Sequence, residues 1–466
     1  MKLPRIAALA LALGAIPLAT SHSSSAAPND TSKVVLAFEK YKLANGLEVI
    51  LHEDKRTPIV TVNLWYHVGS KDEAEHRNGF AHLFEHVMFQ GSKHVPEDTY
   101  FRYLERAGAT NINGTTNLDR TNYFETVPAN RLELALWLES DRMGFLLDHA
   151  DQHTFDSQRE VVKNERRQNY ENAPYGMALA FIRAAIFPEK HPYHLLTIGT
   201  PKDLDAASID DVRAFFRTWY VPNNATLVVA GDFEKDKTKQ LVEKYFGPIP
   251  SGVLPARAAA PEPKLASETR IEMVAGVELP RVFVSWPTPA SLTQADAELD
   301  LLASVLSSGK TSRLYKRMVY DDRIAQDVRA YQASSQLASV FEIVATAAPG
   351  HTTEELLKAI DDELAKLRAG SIPADELARA RTGYVTGFVF GLESGGSRAD
   401  TLQTYNQSMG DPGFLQKDLA RYEQATADQV RDAAKKYLPD ARVVTVVTPQ
   451  KGAPICGELK SKAVKP

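Results

Sequence analysis

Cysteine is nearly missing from this sequence. Of 466 residues only Cys456 carries a thiol, so no internal disulfide can form and stability must come from core burial. That thiol reads as a tail residue without a role. A positive charge excess is missing as well: 54 basic residues stand against 59 acidic ones, a formal charge of −5. Nucleic-acid binding rests on Lys and Arg neutralising phosphates, and the chain offers no sequence-wide cationic field for it. Low complexity is absent too, with Gly and Pro at 26 each. Beyond the N-terminus no apolar stretch runs uninterrupted for about 18 residues, so no membrane-spanning helix is expected there.

What is present is ordinary globular composition, 44% hydrophobic and 24% charged. At roughly 100–200 residues per domain the length points to two domains or more, each able to bury its own core. The start of the chain is a separate matter. Lys2 and Arg5 precede an apolar run from Ile6 to Leu18, followed by small residues with cleavage sites after Ser21 or Ala27. This is the layout of a secretory signal peptide, and the run rises only about 20 Å against a hydrocarbon core of roughly 30 Å. Residues 1–27 are therefore expected to be removed on export, which in a Gram-negative bacterium places the mature chain in the periplasm.

A proline-rich break, with five prolines between Pro248 and Pro263, divides the rest. The expected organisation is a first domain over 34–248, a linker over 249–266 and a second domain over 267–453. The halves resemble one another. Asp211–Tyr220 reads as a helix leading into a buried strand at Ala225–Ala230, and Gln429–Tyr437 leads in the same way into Ala441–Val447. The strand-like segments Thr61–Val68 and Arg281–Trp286 each precede a helical stretch, and Asn45-Gly46 marks a hairpin between Tyr41–Leu43 and Leu47–Leu51. These signals predict a duplicated α+β fold, each half a mostly antiparallel sheet packed with helices.

The halves differ where chemistry is expected. The first carries His82, Glu85 and His86 on a helical stretch rich in Phe and Leu, whereas the matching stretch Ala297–Leu306 has no histidine. Histidines four apart project from one helical face and can hold one ion, with Glu85 beside them to hydrogen-bond water. This is the His-x-x-Glu-His order. Burying such a set on an apolar helix is costly unless an ion or partners satisfy it. Zinc needs a third protein ligand and an open fourth position. The helical stretch Gln158–Gln168 offers Glu165, which shares the face of Val161 and Val162. Glu160 lies about 140° around the axis with Lys163 and Asn164, and is expected to be a solvated charge. An ion pair of Glu165 with Arg166 or Arg167 is the ordinary alternative.

Together these residues resemble the pitrilysin or insulysin-like zinc peptidases, a family that includes the mitochondrial processing peptidase. The resemblance spans the mature chain: the duplicated unit, His82 to His86 with Phe89 and Gly91 following, and a Val-Val-x-x-Glu helix. It implies that His82, His86 and Glu165 bind Zn2+ and that Glu85 activates water for peptide hydrolysis. It further implies an edge strand near Thr110–Thr116, where an extended peptide adds by main-chain hydrogen bonds and Asn113 occupies a polar substrate position; a hairpin packed by Tyr123 and Phe124 explains the same residues. Relatives often carry glutamate seven residues before the ligand glutamate, where this chain has Gln158. In relatives the second half, or a partner subunit, contributes an arginine and a tyrosine, and Arg398 and Tyr405 share a helical face here, although a solvated Arg and a packed Tyr account for that spacing too. A closed chamber implies a homodimer, or a heterodimer with a similar metal-free subunit. The leading expectation is an exported zinc endopeptidase acting on unstructured peptides. A non-catalytic peptide-binding or structural subunit is the alternative, and a small-molecule metallohydrolase has less in its favour.

Overall fold

Gly46, with φ of +92°, turns the chain between strands β1 (Glu39–Lys42) and β2 (Glu48–Glu53), which pair antiparallel with Lys42 opposite Glu48. They open the first of two sheets in this computed structural model, which describes residues 34–257 and 259–460. The segment read as a signal peptide lies outside the described residues. β3 (Ile59–Tyr66), β4 (Thr110–Thr116), β5 (Thr121–Pro128) and β6 (Ala225–Gly231) complete a six-stranded sheet ordered β1-β2-β6-β3-β5-β4. Only the β2–β6 pair is parallel.

The second sheet repeats this plan. It is built from β7 (Thr269–Ala275), β8 (Arg281–Thr288), β9 (Ala325–Ala333), β10 (Ser339–Ala347), β11 (Val443–Pro449) and β12 (Glu458–Leu459), in the order β12-β7-β11-β8-β10-β9. Again one pair, β7–β11, is parallel. The order β2-β6-β3-β5-β4 maps onto β7-β11-β8-β10-β9 strand for strand, so the α+β duplication read from the sequence is present in the fold. Strand β12 extends the second sheet beyond residue 453. Cys456, expected to sit idly in a tail, is buried just before it, and its carbonyl accepts from Met177 N–H at 3.0 Å.

Strand alternation decides what covers each face. Val60, Val62, Leu64 and Tyr66 of β3 enter the main core of the first half, under helices that include Phe80–Val87, Leu132–Phe145 and Ile209–Trp219. The intervening side chains face the other way, toward a helix of the second half. Helix Gly395–Met409 lies across β3 and β6, with Ala399 and Leu402 against Ile50, Val228 and Ala230. The loan is returned: helix Ala178–Ile186 of the first half packs Ala178, Ile182 and Ile186 against Ile271, Met273, Val443 and Val447 of the second sheet. Each half thus has a core of its own plus a smaller one completed by the other. No helix among the described residues is long and apolar enough to cross a membrane.

Candidate functional site

The helix Phe80–Val87 begins at Gly79, whose φ of +98° suits glycine. Phe80, Leu83, Phe84 and Val87 bury one flank in the first-half core, which fixes the roll of the helix and leaves His82, Glu85 and His86 on another. One turn apart, the two imidazole rings lie 4.9 Å between centroids, and one ligating atom from each of His82, Glu85 and His86 falls within 4.8 Å of the others. Among the described residues no other such group of three forms.

Helix Gln152–Arg166 packs against this one, capped by the Asp151 side chain on Thr154 N–H at 2.9 Å. It brings Glu165 to the histidines: Oε2 lies 3.2 Å from His86 Nε2 and 3.5 Å from His82 Nε2. Arg166 is turned elsewhere, to Glu171 and to the Gly199 carbonyl, and Arg167 to Asn164. One expectation needs correcting. Val161 is exposed, because Phe155, Gln158, Val162 and Arg166 centre the buried face. Glu165 flanks that face, and Val161 lies about 40° further out. Glu160 is exposed and pairs with Lys163 at 2.9 Å.

The electrostatics follow from burial. Burial, with the His86 charge nearby, pushes His82 down to about 4, Glu165 opposing. The shift favours the neutral imidazole. Burial raises the Glu85 carboxyl, while a hydrogen bond with Thr116 and the nearness of His86 pull it back. The hydrogen bond from His86 lowers Glu165. Two imidazole nitrogens converging on one carboxylate oxygen, with a second carboxyl adjacent, form a donor set of the composition zinc takes. His82 Nδ1 is buried without a hydrogen-bond partner.

The edge strand lies directly against this group. β4 is the outermost strand of its sheet, Asn113 pairs with Phe124, and its side chain is exposed. At Gly114 a Cβ would sit 3.0 Å from Glu85 Cγ and 3.0 Å from the Phe89 ring, so glycine is what lets the strand approach the helix so closely. Arg398 and Tyr405 do share one helix, but both are buried and occupied: Arg398 binds Asp54, and the Tyr405 hydroxyl donates to Asp418 at 2.8 Å. Of the ordinary alternative for this pair, the packed tyrosine agrees with the structure and the solvated arginine does not. Gln158 is buried on the helix that carries Glu165.

Sequence reasoning passed over Glu73, which binds the start of the histidine helix, and Asp141, which receives Ser92 and His94 just beyond its end. Neither stands in a motif or a periodic pattern that would have singled it out.

Comparison with known proteins agrees with this architecture. Residues 48–196 match the model described as Insulinase (Peptidase family M16), and residues 206–384 match Peptidase M16 inactive domain. The chain is 29% identical over 414 residues to "Zinc protease PqqE" of Helicobacter pylori, covering 88% of this chain and 92% of that one. It is 22% identical to the "Probable mitochondrial-processing peptidase subunit beta, mitochondrial" of Arabidopsis thaliana, over 85% of this chain and 76% of the relative. A solved structure of a protease from Helicobacter pylori superposes with a TM-score of 0.83 at 27% identity, over 89% of this chain and all of the other. With both halves matched by models of one family and relatives aligned along nearly its whole length, the chain belongs to peptidase family M16, the pitrilysin-like zinc peptidases.

Proposed function

We propose that this protein is a zinc-dependent endopeptidase, exported to the periplasm, that hydrolyses unstructured peptides. The observation that carries the reading is the convergence of His82 Nε2 and His86 Nε2 on Glu165 Oε2, with Glu85 beside them and the edge strand of the sheet alongside. His82, His86 and Glu165 would hold the ion. Zinc bound there supplies a Lewis acid that polarises the scissile carbonyl and acidifies water. The chain's own residues do the rest. Glu85, whose carboxyl is raised above its ordinary value by burial, takes the proton of the attacking water and returns it to the leaving nitrogen. β4 aligns an extended peptide as an added strand, with Asn113 on that edge. Folded proteins cannot present such a strand, which restricts substrates to flexible peptides.

A dimer, with itself or with a similar metal-free chain, would enclose the edge strand in a chamber. The non-catalytic alternative draws on the name of the model matched by residues 206–384. That stretch lies largely in the half whose corresponding helix has no histidine; a purely structural role would not require the four side chains gathered in the other half. The test is metal analysis of the mature protein together with cleavage of a quenched peptide library. About one zinc per chain and cleavage abolished by a chelator are expected. Glu85→Gln should keep its zinc and lose about two to four orders of magnitude in turnover. A zinc-loaded protein that cleaves nothing, or a Glu85→Gln variant with full turnover, refutes the reading.

A further inference from the structure

The histidine helix is only two turns long and its N-cap has no side chain. Its first amides therefore need acceptors from elsewhere. They find them in Glu73, six residues upstream of Gly79. Oε2 accepts from Gly79 N–H at 3.0 Å and from Asn78 Nδ2 at 3.0 Å, while Oε1 accepts from Ala81 N–H at 2.9 Å. One carboxyl group thus spans the cap and the first turn, ending one residue before His82. Burial pushes this carboxyl up to about 8 against the pull of its three donors, and both oxygens retain lone pairs for them in either protonation state.

The opposite side of Gly79 meets the rest of the site. A Cβ on Gly79 would lie 2.7 Å from Gly199 Cα, so the two backbones are in direct contact. The Gly199 carbonyl in turn accepts from Arg166 Nη1 at 2.7 Å, and Arg166 is the neighbour of Glu165. Glu73, Gly79, Gly199 and Arg166 therefore make a continuous connection from the helix bearing His82 and His86 to the helix bearing Glu165. We propose that Glu73 is a positioning residue for the hydrolytic site: by holding Gly79 and Ala81 it seats the histidine helix against Gly199 and sets the two imidazoles relative to Glu165. The proposal rests on the zinc peptidase reading above. Packing of Phe80 fixes the roll of the helix, Glu73 holds the backbone of its first turn, and a shift at Gly79 is carried to His82 within one turn.

Three variants test it. Glu73→Gln replaces one acceptor oxygen by an amide NH2 facing N–H donors, Glu73→Ala removes both acceptors, and Glu73→Asp keeps both on a shorter stem. Zinc affinity is measured by competition with a chromophoric chelator, the coordination geometry by the visible absorption of the cobalt-substituted protein, and kcat and KM separately on a quenched peptide. In folded Glu73→Gln and Glu73→Ala, zinc affinity should fall by about 10–100-fold. The cobalt spectrum should change and kcat should drop with KM little altered. Glu73→Asp should recover part of each. Wild-type affinity and spectrum in folded Glu73→Ala would overturn the proposal. So would an activity loss that merely tracks the unfolded fraction, with normal affinity in what remains folded. If the unsubstituted protein binds no zinc, it is the peptidase reading that fails instead.

Discussion

Arg398 donates through Nη2 to Asp54 Oδ2 at 2.8 Å, joining two residues 344 positions apart and from opposite halves of the chain. Both side chains are about nine-tenths buried, and the same guanidinium also donates to the carbonyls of Leu392 and Glu393. Arg56 and Arg398 hold the Asp54 carboxyl well below the usual range. The pair fastens the start of the lent helix Gly395–Met409 to the end of β2. It ties the two halves together through a buried ion pair.

Arg398→Ala should therefore act on stability. Removing one member of a buried pair leaves the other short of its partner, although Arg56 still serves Asp54, so a loss of about 2–4 kcal/mol is expected. Urea unfolding measures it. The kcat/KM of the folded fraction should stay within about threefold of the original. An unchanged urea midpoint accompanied by a large rise in KM would return Arg398 to the role of a substrate contact.

The two glutamates of helix Gln152–Arg166 should separate cleanly. Glu165→Ala and His86→Ala each remove a side chain of the converging set, so zinc retained after dialysis should fall together with activity. Glu160→Ala breaks only an exposed pair with Lys163, whose worth is of order 0–1 kcal/mol, and should leave both unchanged. Zinc loss in Glu160→Ala but not in Glu165→Ala would reverse the assignment. Chelation of the unsubstituted protein should stop cleavage without unfolding it, because the two large cores contain none of His82, His86 and Glu165.

Much of the site is legible in the sequence because it is written in helical spacing. His82, Glu85 and His86 lie on one short helix, and on helix Gln152–Arg166 the angle between Glu160 and Glu165 sets the first in solvent and the second on the flank of the buried face. Val161 shows the limit of that reasoning, since a valine on the flank of a helix stays exposed when nothing packs there. The lent helix Gly395–Met409 was illegible for a different reason. Helix Gly395–Met409 meets the first sheet with Gln403 and Asn406 as well as Leu402, so its buried face carries no apolar stripe. Glu73 acts from a loop through backbone amides, and such contacts leave no residue pattern at either end.

Asp300 gives the fold a pH dependence away from the His82–His86–Glu165 cluster. Burial, reinforced by Asp296 and Asp418, pushes its carboxyl up to about 7, while the Tyr422 hydroxyl donates to it at 2.7 Å. In the unfolded chain it titrates near 4. Between these values the folded state keeps a proton that the unfolded chain releases, so the contribution to stability is full below about pH 4 and is lost as pH rises through 7. Asp300 borders an open cavity of about 490 Å³, which limits the effect to about 1–3 kcal/mol. Asp300→Asn, neutral throughout, should be less destabilised than the unsubstituted protein on going from pH 5 to pH 8. Parallel stability curves for the two proteins would show that Asp300 does not titrate in this window.

The exchange of helices predicts what happens when the halves are separated at the proline-rich segment. A fragment of residues 34–257 keeps all six strands of its sheet and its main core. It loses Ala399 and Leu402 from one face, which exposes Ile50, Val228 and Ala230, at a cost of about 1.5–3 kcal/mol for each large aliphatic side chain uncovered. It also loses Gln403 Nε2 from the carbonyls of Asn63 and Thr226, and Arg398 from Asp54. In return it carries the exposed helix Ala178–Ile186, whose Ile182 and Ile186 now lack the second sheet. Against a total stability of order 5–15 kcal/mol these losses are large. The fragment alone should therefore aggregate or melt without cooperativity, and co-expression with residues 259–460 should recover a soluble complex, detectable by sedimentation and by restored zinc binding. A monomeric 34–257 fragment that unfolds cooperatively at the midpoint of the whole chain would mean that the lent helices contribute little, and that each half is self-sufficient in spite of them.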